Sequence, residues 1–121
     1  MIKAHFFKDA KTGALNLRVK GHSGAANRGE DLVCAAASIL TMTAAQAVFD
    51  LYAEGRTEGK PLIKLASGRA RIAITPKPDA AAEALHALFI VQKGFAVLAG
   101  NEPDFVKLRP FVIKDDTAGK A

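Results

Sequence analysis

Apolar and polar residues alternate with a period of two over residues 1–8 and again over 14–20. In the second run Leu15, Leu17 and Val19 point one way and Asn16, Arg18 and Lys20 the other, as in a strand with one buried face. The Lys8–Gly13 segment between them has turn chemistry, so the two runs predict a β-hairpin. Gly21–Glu30, with Gly21, Gly24, Gly29 and Asn27, predicts a flexible loop. The period then changes. Asp31 is a helix N-cap type, and an Ala-rich helix is predicted from it to about Glu54, ending at Gly55. Leu32, Ala35, Ile39, Leu40, Ala47 and Leu51 give this helix a broad apolar face. Very little charge falls between Asp31 and Asp50, so the helix needs cover on most sides, from the sheet or from a second subunit as well.

Leu62–Ala66 and Arg69–Thr75 predict two short strands joined across Ser67 and Gly68. Pro76–Asp79 breaks the chain and starts a second helix, Ala80 to about Ala99. Leu85, Leu88, Phe89, Gln92, Phe95 and Ala99 follow its three–four spacing. Gly94 inside it costs ~1 kcal/mol relative to Ala, which points to close packing there. Phe105–Phe111 reads as a last strand. The order ββαββαβ predicts an α+β fold, a five-stranded, mostly antiparallel sheet packed with two long helices. One domain over residues 1–113 is expected, followed by a disordered tail at 114–121.

Composition narrows the function. The 121 residues are 50% apolar and 24% charged, as in a soluble globular domain. No apolar run reaches the ~18–20 residues of a bilayer span, so no membrane partner is expected. A single cysteine cannot form an internal disulfide, which makes a cytoplasmic location the expectation. No Cys or His pair has ligand spacing, so neither metal nor organic cofactor is expected. The net charge of +5 suits an acidic partner such as RNA. Arg18, Lys20, Lys64, Arg69, Arg71, Lys107 and Arg109 fall at outward strand positions and would form one positive face. Such a face makes weak contact with phosphates, or simply solvates the sheet and protects its edges. One Tyr and no Trp offer no obvious base-stacking platform.

The candidate chemistry lies between Gly21 and Ser38, which hold the only cysteine, Cys34, and one of three histidines, His22. With Asp31 as N-cap, Cys34 is the third helical residue, where unpaired amides and the macrodipole favour a thiolate and can hold an oxyanion. His22, at a strand end, is the natural base for that thiol. Asp31 either caps the helix or orients His22, and Ser38, four residues after Cys34, either supports the sulfur or the imidazole or bonds back to the preceding turn. A Cys in an Ala-rich helix is ordinarily a small core residue, and a His at a strand end is ordinarily a surface side chain. Their combination with a Gly-rich loop is what points to catalysis. His5 reads as a sheet residue and His86 as part of a polar helix flank.

Gly21-His22, Gly29, Asp31-Leu32-Val33-Cys34 and Ser38 resemble the signature of the ribosomal-processing cysteine proteases, the Prp (YsxB-like) family, and the resemblance covers about residues 1–112. It implies a His22–Cys34 dyad with Asp31 and Ser38 in support, a homodimer, and a loop containing Gly21, Gly24 and Gly29 that rearranges to admit substrate. The implied substrate is a bacterial large-subunit ribosomal protein, from which a short N-terminal extension is cut after an aromatic pair. Ser23 stands where Ala is common and Leu32 where Ile is common; neither touches the chemistry. A rival reading is a non-catalytic ribosome- or RNA-associated module that uses the basic sheet face. Thiol redox chemistry is weaker, because no second Cys is present to resolve a disulfide.

Overall fold

The computed structural model describes residues 1–22 and 28–116, with 28–31 described by their backbone. Its elements are β1 (Ile2–Asp9), β2 (Leu15–Lys20), α1 (Arg28–Ala53), β3 (Leu62–Ala66), β4 (Arg69–Ile74), α2 (Ala81–Asn101), β5 (Val106–Leu108) and β6 (Val112–Lys114). A 3-10 turn at Pro78–Ala80 leads into α2, with proline at its first position, where the missing N–H costs nothing. The sheet order is β3-β4-β2-β1-β5, with β6 also alongside β1. The β1/β2, β2/β4 and β3/β4 pairs are antiparallel; β5 and β6 run parallel to β1.

The expected single last strand is two. Pro110 cannot donate to the ladder, so the chain leaves β1 after Arg109 N–H bonds to the Ala4 carbonyl (2.9 Å) and rejoins it at Phe7–Asp9. The expected tail also begins too early. Lys114 is in β6, and Asp116 pairs with Arg18 at 2.8 Å. Residues 117–121 lie outside the described residues.

Alternation along the strands separates two faces. Ile2, Ala4, Phe6, Leu15, Leu17, Val19, Ala70, Ile72 and Ile74 share one buried cluster with residues of both helices. Both helices therefore cover the same side, as a two-layer domain requires. The buried side of α1 is Val33, Ala37, Thr41, Ala44, Ala45, Val48 and Leu51. Of the apolar face read from the sequence, Leu32, Ala35 and Ile39 instead lie exposed on the outer side. Ala is small enough to let a helix lie close to the sheet, so alanines take the inward stripe. By length and composition alone both helices could cross a bilayer, which corrects the expectation of no such segment; here each lays a buried stripe on the sheet.

The helix ends follow local chemistry. At the end of α1, Gly55 has φ +73°, Gly55 N–H bonds to Tyr52 O (2.9 Å), and Arg56 N–H bonds to Leu51 O (2.9 Å). This is a Schellman motif, closed by the glycine the left-handed position needs. Where the helices cross, a Cβ on Gly94 would overlap the Leu40 side chain, so this glycine does mark a close approach.

On the uncovered face Phe7 is still fully buried, roofed by Arg18 (4.9 Å from the ring centre) and Lys114 (4.5 Å). His5 sits beside it, its pKa pulled below 6.5 first by burial and then by Lys114, Arg109 and Arg18.

Two outcomes follow for stability. Gly94→Val overpacks the helix crossing and lowers stability by roughly 1–3 kcal/mol in urea denaturation. Gly94→Ala costs less, since the Leu40 methyl can swing aside and helix propensity improves by about 1 kcal/mol. Because His5 binds its proton less readily folded than unfolded, stability falls as pH drops through 6.5 toward the lower folded value. His5→Gln removes that part of the pH dependence, read as a smaller shift in urea midpoint than wild type across the same pH range.

Candidate active site

β2 and β4 stay paired up to Lys20 opposite Arg69, and the chains part immediately beyond. Gly21 N–H bonds to the Gly68 carbonyl at 2.8 Å. Gly21 has φ +96°, and a Cβ there would overlap the Met1 carbonyl oxygen. Only glycine passes through this point without moving the start of β1. The Met1 ammonium group donates a hydrogen bond to the His22 carbonyl. His22 is thereby held from both sides at the end of the sheet, exposed to solvent.

Gly68, in the β3–β4 turn, packs under the imidazole. A Cβ at this position would lie 2.5 Å from His22 Nε2, and its φ is +74°. The sequence marked Gly68 only as a turn residue. Its contact with His22 comes from long-range strand register, which leaves no local signal.

Cys34 lies across the cleft on α1, half-buried and packed against the core. The cleft has a volume of about 440 Å³, and Gly21, His22, Cys34 and Ser38 all line it. Thus the nucleophile and base candidates share one cavity. Thr41, Met42 and the Ser67–Arg69 turn complete the walls, and the sequence reading had not included them. Thr41 Oγ1 is committed to the Ala37 carbonyl at 2.8 Å, so it is a wall and not a reactive group. Ile2, Val19, Leu65 and Ala70 give the floor an apolar character.

One expectation is corrected. α1 begins at Arg28, not after Asp31, so Asp31 is not its N-cap and Cys34 falls in the second turn. An N–H at that depth bonds to the carbonyl four residues back, so the Cys34 amide is not an oxyanion donor. The macrodipole also acts mainly in the first turn, which removes the helix start as the source of thiolate stabilisation. Gly29 belongs to the helix and not to a loop. The expected positions of Gly24 and the centre of the loop lie outside the described residues, as does the side chain of Asp31. Among the described residues, no group of three or more His, Cys, Asp or Glu is placed to hold a metal ion.

No curated protein sequence matches. A Streptococcus mutans crystal structure superposes with a TM-score of 0.64 at 24% identity, covering 95% of this chain and 96% of the other. Two crystal structures of a Staphylococcus aureus essential ribosomal processing protease Prp also superpose. The one holding a covalently linked product peptide gives a TM-score of 0.68 at 20% identity, covering 92% of this chain and 99% of that one. The one with a substrate peptide gives 0.64 at 19% identity with the same coverage. At these identities the likeness establishes the fold. Residues 1–107, most of the chain, match the family described as cysteine protease Prp. The chain belongs to that family and is a cysteine protease.

Proposed function

We propose that this protease is a ribosomal-processing endopeptidase, with Cys34 as nucleophile and His22 as its base. The observation that carries the reading is the placement of both side chains on one cleft, at the point where sheet and helix layer meet. His22 takes the thiol proton, and the sulfur attacks the peptide carbonyl to give a tetrahedral adduct. Collapse of the adduct breaks the C–N bond while His22 returns the proton to the leaving amine. Water, deprotonated by His22, then hydrolyses the thioester. Asp31 and Ser38 are supporting positions. Ser38 lines the same cleft, one turn along from Cys34.

The substrate we propose is a large-subunit ribosomal protein carrying an N-terminal extension that ends in an aromatic pair. The apolar floor formed by Ile2, Val19 and Leu65 suits an aromatic side chain next to the scissile bond. The protease is proposed to act as a cytoplasmic homodimer. Leu32, Ala35, Ile39, Met42, Phe49 and Ala53 recur at intervals of three, four and, from Met42 to Phe49, seven residues along the outer side of α1 and are all exposed. A second copy would cover that stripe.

Cys34→Ala and His22→Ala each lower cleavage of a peptide spanning the extension junction by at least about a thousandfold, with thermal unfolding nearly unchanged. Wild-type cleavage by Cys34→Ala would refute the assignment. Gly68→Ala displaces the imidazole. Steady-state kinetics should show kcat down about tenfold or more with KM little changed, while stability drops by only ~1–2 kcal/mol for the left-handed backbone.

A further inference from the structure

The sheet face away from the helices gathers positive charge in rows. Lys3, Lys20 and Arg69 stand directly opposite one another on β1, β2 and β4, and Lys107 joins Lys3 on β5. In the next row Arg18, Arg71 and Lys64 are opposite one another on β2, β4 and β3. Arg109 follows β5 on the same side of the molecule, close enough to act on His5. Among the described residues, the one ion pair on this face is Arg18 with Asp116.

Edge protection does not explain these rows. Lys3, Arg18, Lys20, Arg69 and Arg71 lie on β1, β2 and β4, which are interior strands with no open edge. Solvation does not explain them either. Like charges directly opposite across a ladder destabilise a sheet, and a merely soluble surface mixes the two signs. A surface kept positive against that cost is built for a negative partner.

We propose that this face binds the phosphate backbone of double-helical RNA. Long Lys and Arg side chains rising from a sheet contact phosphates without reading bases. Among the described residues this face presents no exposed Phe, Tyr or Trp ring for stacking unpaired bases, since Phe7 is fully buried beneath Arg18 and Lys114. A duplex with a wide, shallow groove and regular phosphates is the matching shape. The choice of RNA over DNA rests on the ribosomal reading above; the cation rows do not. The rows also lie at the catalytic end of the sheet. Lys20 directly precedes Gly21, and Arg69 both follows Gly68 and lines the cleft. A ribosomal protein is itself basic and gains nothing electrostatically from this enzyme in free solution. Bound to the same RNA, both positive proteins are brought together on one polyanion.

Fluorescence anisotropy with a mixed-sequence RNA duplex of ~20 base pairs tests the face in the intact protein. Wild-type affinity should fall at least about a hundredfold between about 50 and about 200 mM salt. In the triple variant Lys3→Ser, Lys20→Ser, Lys107→Ser the log–log salt slope should shrink by about two to three. The variant should unfold no earlier than wild type, because like-charge pairs are removed, and should cleave a free peptide at the wild-type rate. No binding at about 50 mM salt, or an unchanged slope in the triple variant, overturns the proposal. Tighter binding of polyglutamate than of RNA assigns the face to an acidic protein, and tighter binding of the matching DNA duplex removes the assignment to RNA. Failure to cut the ribosomal junction peptide with RNA binding intact refutes the substrate reading alone.

Discussion

The register between β2 and β4 is the constraint on which the site depends. It ends at the Gly21 N–H to Gly68 carbonyl bond, where two chains separate and His22 lies against a residue with no side chain. A slip of one residue would turn Leu15, Leu17 and Val19 onto the open face and carry His22 to the wrong side. The hydrophobic core therefore sets the geometry of the cleft: the residues that hold the register are those the two helices bury. α1 then returns over the same end of the sheet and brings Cys34 to the cleft.

The two sheet faces meet opposite demands with the same strands. Toward the helices, alternate positions are aliphatic or aromatic and pack into one cluster, with Phe6 edge-on to Phe95 at 5.9 Å. Away from them there is no second layer, yet Phe7 is fully buried. Its cover comes from the Arg18 guanidinium and the Lys114 ammonium over the ring, and from the segment that places Asp116 beside Arg18. The C-terminal strand β6 is what brings Lys114 there, so the broken pairing at Pro110 has a packing consequence as well as a backbone one.

What the sequence revealed divides along contact range. β1 to β4 were legible to within about a residue, because alternation and the turn residues at Gly13 and Ser67–Gly68 are local signals. The start of α1 was misplaced because Asp31 looks like a cap. The inward side of α1 was hidden because alanines at 37, 44 and 45 carry little hydrophobic contrast against exposed Leu32 and Ile39. The strand break at Pro110 is local too, since a proline inside a run cannot donate to the ladder. At the site, His22, Cys34 and Ser38 could be named from one stretch, while Gly68 and Arg69 could not, since only folding brings their hairpin to His22.

Moving the helix start to Arg28 alters the proposed chemistry more than a boundary shift suggests. With Cys34 near an unpaired helix end, the backbone alone would favour a thiolate, and His22 would add only proton transfer. In the second turn the helix end contributes little, and in the proposed mechanism the one imidazole both takes the thiol proton and returns it to the leaving amine. A single group with two tasks must be held accurately, because a base about an ångström out of place loses much of its effect. The anchoring seen here fits that demand: the Met1 ammonium fixes the His22 carbonyl, Gly21 fixes the turn before it, and Gly68 lets the ring settle. In the proposed mechanism, then, the accuracy of the site comes from the sheet end, and α1 contributes Cys34 to the cleft.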